Sequence, residues 1–89
     1  MQLGLLVMTR AIAVATDEAP EFTQEVLNAL ERYRHKDWGD ISDNDKQTNV
    51  DALEQGERIF AAYETSKGKI YIITEWDRSA TTVLFAHQY

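Results

Sequence analysis

Residues 58–89 read RIFAAYETSKGKIYIITEWDRSATTVLFAHQY, and the period of this stretch decides the fold. Arg58–Glu64, Lys69–Trp76 and Thr81–Tyr89 repeat at steps of two, the spacing of side chains along a strand. Thr65–Gly68 (TSKG) separates the first two and offers Gly68 for a positive φ. Asp77–Ser79 (DRS) separates the last two with residues that turns prefer. The stretch therefore predicts a three-stranded antiparallel meander. Ile70–Ile73 is apolar on both faces, which puts that strand in the middle of a sheet rather than at its edge.

Upstream, TDEAPEFTQEVLNALERYRHKD (Thr16–Asp37) is the clearest helix. Phe22, Val26, Ala29, Leu30 and Tyr33 form one apolar stripe, and Pro20 fits a first turn, where its missing N–H costs nothing. Asp17, Glu18 and Glu21 at the front and Arg32, Arg34 and Lys36 at the back suit the helix dipole. Gly39 pivots the chain into a second helix, SDNDKQTNVDALEQGE (Ser42–Glu57). Ser42 is its N-cap, Asp45 stands in a capping-box position, and Gly56 fits the left-handed terminator. Its apolar face is thin, Val50 and Leu53 helped by Ala52, so most of its circumference is wet.

Met8–Thr16 alternates small and branched apolar residues and reads as a buried strand. Met1–Val7 reads as an upstream extension, poorly ordered or strand-like. The apolar start fails as a signal peptide, since no basic residue precedes it and Arg10 interrupts it. It is also too short to span a bilayer, so a cytoplasmic, membrane-free protein is expected. The fold class is α+β: one small domain over residues 1–89, in the order β-α-α-β-β-β. Its sheet is mainly antiparallel, with two helices on one face.

Formal net charge is −6. Asp37, Asp40, Asp43, Asp45, Asp51, Glu54 and Glu57 face one base, Lys46, so this segment alone matches the charge of the whole chain. Direct nucleic-acid binding is not expected, because phosphate affinity comes from clustered Lys and Arg. Arg32, Arg34 and Lys36 are better read as the cationic end of a helix. With no cysteine in the chain, thiolate chemistry, disulfides and Cys-based zinc sites are excluded.

No motif joins His35 or His87 to a nucleophile and an orienting carboxylate. Asp40, Ser42 and Asn44 alternate as in a calcium-binding loop. However, Asp45 occupies the place that needs Gly, and Asp51 the place of a bidentate Glu. Neither catalytic residues, nor a metal, nor a cofactor is expected. In TEWDRS (Thr74–Ser79), Glu75, Asp77 and Arg78 are read first as a solvated bend. The alternative is a small hydrolase or small-molecule binder built on that corner, with His35 or His87 converging on it. Trp38 and Trp76 are each flanked by acids, and each is either a core residue or an aromatic anchor.

From Asp37 onward, the strings W-G-D, D-x-x-x-N-x-x-A-L and I-I-T-E-x-D-R-S-x-T-T-x-L resemble a family of short proteins of bacterial plasmids and other mobile elements. Members tend to close on Pro-x-Glu-Tyr, where this chain has Ala86–Tyr89 (AHQY). The resemblance implies a context and carries over no catalytic residue.

The expectation is a small acidic protein–protein interaction module of a bacterial mobile element, in its sharper form an inhibitor of a host defence nuclease. Its candidate surface comprises Trp38, Asp40, Asp43, Asp45, Trp76, Asp77 and Arg78. The partner is an unidentified protein or a second copy. The copy would cover an apolar patch on the outer sheet face, drawn from Phe60, Tyr71, Ile73, Leu84 and Phe85.

Overall fold

The computed structural model describes residues 1–89. The meander forms as its period predicts, from β2 (Ile59–Thr65), β3 (Gly68–Thr74) and β4 (Ala80–Phe85). Ala62 stands opposite Tyr71, and Tyr71 opposite Leu84, so β3 has a neighbour on each side. A fourth strand, β1 (Leu5–Met8), pairs parallel to β4 and completes the order β1-β4-β3-β2. The last strand is shorter than its sequence suggests: after Phe85 the chain tightens into a 3-10 turn over Ala86–Gln88.

The N-terminal third departs from its reading. Met8–Thr16 is not a strand. It contributes the end of β1 and most of a helix, α1 (Arg10–Glu18). Short runs of Ala, Ile and Val fit either period. Here Thr9 decides, because its hydroxyl accepts the Ile12 N–H at 3.4 Å and caps the helix. Ile12 and Ala15, three apart, then face the core. The strand lies upstream instead, in the extension, whose strand-like reading holds from Leu5. Gly4 starts it at φ 65°, and a Cβ there would stand 2.2 Å from the Arg78 carbonyl oxygen, so only glycine fits.

The predicted single helix from Thr16 is likewise two. Pro20 drives the preceding residue out of the helical region, and Ala19 sits at φ −138°, between α1 and α2 (Pro20–Arg34). Asp17 and Glu18 therefore lie at the back of α1, not at the front of α2. The apolar stripe of α2 is buried as expected, from Phe22 to Tyr33. It meets Ile59, Ala61, Tyr63, Ile70, Ile72, Val83 and Phe85 across the core, where Phe22 stacks on Phe85 at 5.6 Å. Each such large side chain stabilises the fold by about 1.5–3 kcal/mol. Alternation sends Phe60, Ala62, Tyr71, Ile73, Thr82 and Leu84 to the opposite, open face. Phe85 thus belongs to the core and not to the outer face. A third helix, α3 (Asp43–Gln55), runs beside β2.

One polar chain crosses this core. Thr81 donates its hydroxyl hydrogen to the Leu3 carbonyl at 2.6 Å. It must then accept from Thr74 (2.7 Å), which in turn accepts from the Tyr33 phenol (2.7 Å). The relay runs in one direction, Tyr33 to Thr74 to Thr81 to Leu3. It ties α2, β3, β4 and the residues before β1 together, and every buried hydroxyl in it is satisfied. Thr81→Val strands the Thr74 donor and the Leu3 carbonyl, so a urea melt should show a loss of about 2–3 kcal/mol. Tyr33→Phe removes only the head of the chain and should cost about 1 kcal/mol.

Burial raises the Tyr33 phenol from its ordinary 10.0 to about 12. Burial, followed by the nearby Asp37 charge, raises Tyr63 as well. Both phenols are favoured neutral in the fold, whereas an unfolded chain ionises them near pH 10. Their contribution is complete below about pH 10 and is lost as pH rises towards about 12. The urea midpoint should accordingly hold steady from neutral pH to about pH 9.5 and fall steeply above pH 10.

Candidate interaction surface

The seven acids between Asp37 and Glu57 are all exposed, and α3 carries four of them. What holds this helix is largely polar. Ser42 caps its start, its hydroxyl accepting the Asp45 N–H at 3.1 Å, and Gly56 ends it at φ 68°. Among its apolar residues Ala52 is buried and Leu53 packs against the core, but Val50 is exposed, contrary to the sequence reading. Its place on the inward side is taken by Asn49. The Asn49 side chain donates to the Phe60 carbonyl at 2.6 Å and accepts the Phe60 N–H at 3.1 Å. It fastens α3 to the outer edge of β2.

The loop before α3 continues the same seal. The Ala62 N–H donates to the Trp38 carbonyl at 3.3 Å, and the Asp40 N–H donates to the Ala62 carbonyl at 2.7 Å. Between them Gly39 adopts φ 72°, and a Cβ there would lie 2.0 Å from the Ala62 oxygen. Arg32 grips Asp37 with two bonds of 2.7 and 3.2 Å and holds its carboxyl below the ordinary carboxylate range. Trp38 is 5% exposed and packs edge-on against Tyr33. Of the two readings of Trp38, the structure supports the core residue.

The charged corner is a bend, with Trp76, Asp77 and Ser79 exposed, as its first reading has it, but Arg78 does not stay in solvent. Arg78, at φ 62°, turns its guanidinium inward. Nη2 donates to the Ala52 carbonyl at 3.1 Å, and Nη1 shares its hydrogens among Glu57 (2.6 Å), Glu75 (3.1 Å) and Trp76 (3.2 Å) carbonyls. Ala52 belongs to the last turn of α3, whose carbonyls carry the negative end of the helix dipole and which has no basic residue of its own. Arg78 supplies that cation from another element. Asp77 is exposed and accepts the Ser79 N–H at 3.0 Å; bonds from Ser79 lower its pKa. The side chains of Glu75, Asp77 and Arg78 share no bond or ion pair, and no cavity opens at the corner. His35 bonds Glu31 at 3.0 Å, while His87 stacks on Phe85, away from it.

The candidate residues thus flank α3 at both ends. Asp40, Asp43 and Asp45 lie at its start, and Asp77 with Trp76, 67% exposed, lies in the turn docked at its finish. A helix of this length spans about 20 Å. Beside it opens a cleft of about 280 Å³ lined by Asp45, Thr48, Asn49, Arg58, Phe60 and Tyr89. Arg58 lies over the Tyr89 ring and bonds its hydroxyl, and Tyr89 sets its ring against Tyr71 at 5.7 Å. No three His, Asp or Glu side chains converge as a metal-binding group.

Sequence reasoning missed Asn49 as an anchor. Its signal was a polar residue on the inward stripe with Ala52 and Leu53. Nothing local marks Arg78 as a clamp. Arg78→Lys replaces a forked donor with a single point charge. It should lower stability by about 1.5–3 kcal/mol, with amides in the last turn of α3 losing exchange protection first. No protein family, no curated protein and no solved structure matches this chain.

Proposed function

We propose that this chain is a small acidic protein-interaction module that presents α3 and its two flanking turns to a basic protein surface. The observation that carries it is the state of the charges. Of the seven acids on this flank only Asp37 has an ion-pair partner; the other six face solvent unpaired. Glu54 lies in the last turn of α3, where the helix dipole disfavours an anion by about 0.3–1 kcal/mol. Asp43 and Asp45 suit the positive end of the same helix, whereas Glu54 runs against it; together the unpaired acids give a long-range field that steers a cationic partner. Exposed Trp76 at the end of the strip supplies an aromatic anchor of the kind that dominates interface energies.

The sharper form is an inhibitor of a DNA-binding defence enzyme, in keeping with the resemblance to mobile-element proteins. About 20 Å of duplex carries about 12 phosphate charges. The flank offers roughly half that density, so its competition with DNA is strongest at low salt.

The test is a gel-shift competition across a panel of bacterial defence nucleases. The wild-type chain should displace labelled duplex at about 50 mM salt and lose this effect by about 300 mM. A D43N/D45N/D51N/E54Q variant with unchanged circular dichroism should compete at least about tenfold less well. Failure of the wild type to displace DNA from any enzyme sinks the inhibitor form. Equal competition by the neutralised variant sinks the role of the acidic flank.

A further inference from the structure

The two edges of the sheet are treated differently. Along β2, the outward main-chain groups of Phe60 and Ala62 are taken by Asn49, Trp38 and Asp40. Along β1 nothing takes them. The Leu5 N–H bonds the Ser79 carbonyl and the Thr9 N–H bonds the Val83 carbonyl. In a parallel ladder the residues between alternate, so Leu6 and Met8 turn their N–H and C=O groups away from β4. Exposure along the strand is 69% at Leu5, 48% at Leu6, 37% at Val7 and 44% at Met8. Four consecutive apolar residues, without a charge or proline, sit on an unprotected edge, an arrangement that sheet proteins otherwise block.

The exposed apolar surface predicted for the outer face is therefore at this edge. On the open face Ile73 and Leu84 are buried by their neighbours, and Phe60 and Tyr71 are half-buried under the aromatic contact with Tyr89.

We propose that a second copy of this chain pairs with β1, strand against strand and antiparallel, about a two-fold axis through Val7. Edge chemistry calls for an extended strand, and β1 is its own complement. In the register that sets Leu6 opposite Met8 of the second copy, both outward residues form hydrogen-bonded pairs, about four bonds in all. Val7 then meets its own counterpart at the close, non-hydrogen-bonded position. Leu6 and Met8 bury each other on the side where α1 packs, and Val7 does so on the open side.

The placement of charge permits the same partner. Each copy carries −6, which opposes self-association through most of the surface. The acids are concentrated beside β2, at the far edge of the sheet from β1. Pairing through β1 makes an eight-stranded sheet with the two acidic flanks at its outer ends. Seven strand spacings put them about 34 Å apart, more than four Debye lengths of about 8 Å at physiological salt. The uncharged edges meet and the repelling ones stay apart. This interface is distinct from the α3 flank, so the two proposals stand or fall separately.

The test uses the whole chain of 10.2 kDa. Light scattering at about 500 µM should give twice the chain mass, falling towards one chain at about 5 µM, as a short edge interface of modest area requires. Leu6→Lys, which blocks an edge without touching the bonds to β4, should weaken the dimer at least about tenfold. D43N/D45N/D51N/E54Q should leave it intact. In the unsubstituted chain, the Leu6 and Met8 amides should gain at least about tenfold exchange protection between the two concentrations, while Leu5 and Thr9 stay protected throughout. A single-chain mass at about 500 µM, concentration-independent exchange at Leu6 and Met8, or association that Leu6→Lys leaves unchanged would each overturn the proposal.

Discussion

Every residue of a strand carries a donor and an acceptor, and at the edge of an open sheet half of them have no partner within the sheet. The β2 edge of this molecule answers that constraint at Phe60 and Ala62, and much of the architecture follows from the answer. Asn49 serves Phe60, while the Trp38–Asp40 segment serves Ala62. To reach that edge the chain must pass close over Ala62 in a left-handed conformation, which requires Gly39. Once it has done so, α3 can only lie alongside β2. The acidic face of the protein stands where it does because a strand needed closing.

The way α3 is attached has a further meaning. It buries little apolar surface and depends on a cap, an amide and a borrowed guanidinium. Such an element sits at the low end of local stability, in contrast to α2, whose stripe is locked into the core. The field presented to solvent thus comes from the part of the molecule that is easiest to adjust. The hydroxyl relay from Tyr33 to Leu3 belongs to the other part. It fixes the relative placement of α2, two strands and the approach to β1 without any charge at all.

The legibility of the fold in the sequence followed the reach of the interactions. The five residues of the α2 stripe were plain because a helix states its period within a few turns. The meander was plain because its turns and alternation are local. Ser42 and Gly56 could be placed at the ends of α3 for the same reason. The run from Met8 to Thr16 misled because Ala, Ile and Val satisfy two periods at once, and the deciding bond is a single threonine cap. Pro20 marks a helix start, but it also forces Ala19 out of the helical region and so divides one apparent helix into two. Trp38 and Trp76 looked alike in their acidic settings and proved opposite, one packed on Tyr33 and one in water. Arg78 was illegible in principle. Its meaning lies in carbonyls as far as 26 positions away in the chain, and no pattern around it reports them.

The bond between Thr81 and Leu3 joins residues 78 positions apart, and β1 finds β4 across a similar distance. During synthesis the first strand is thus made long before its neighbour exists. At roughly 5–20 residues per second the gap is about 4–15 s. Through that interval Leu5–Met8 travels as a greasy, unmated ribbon ahead of a growing acidic chain. The sheet is closed by its oldest segment, which cannot pair until β4 has been made.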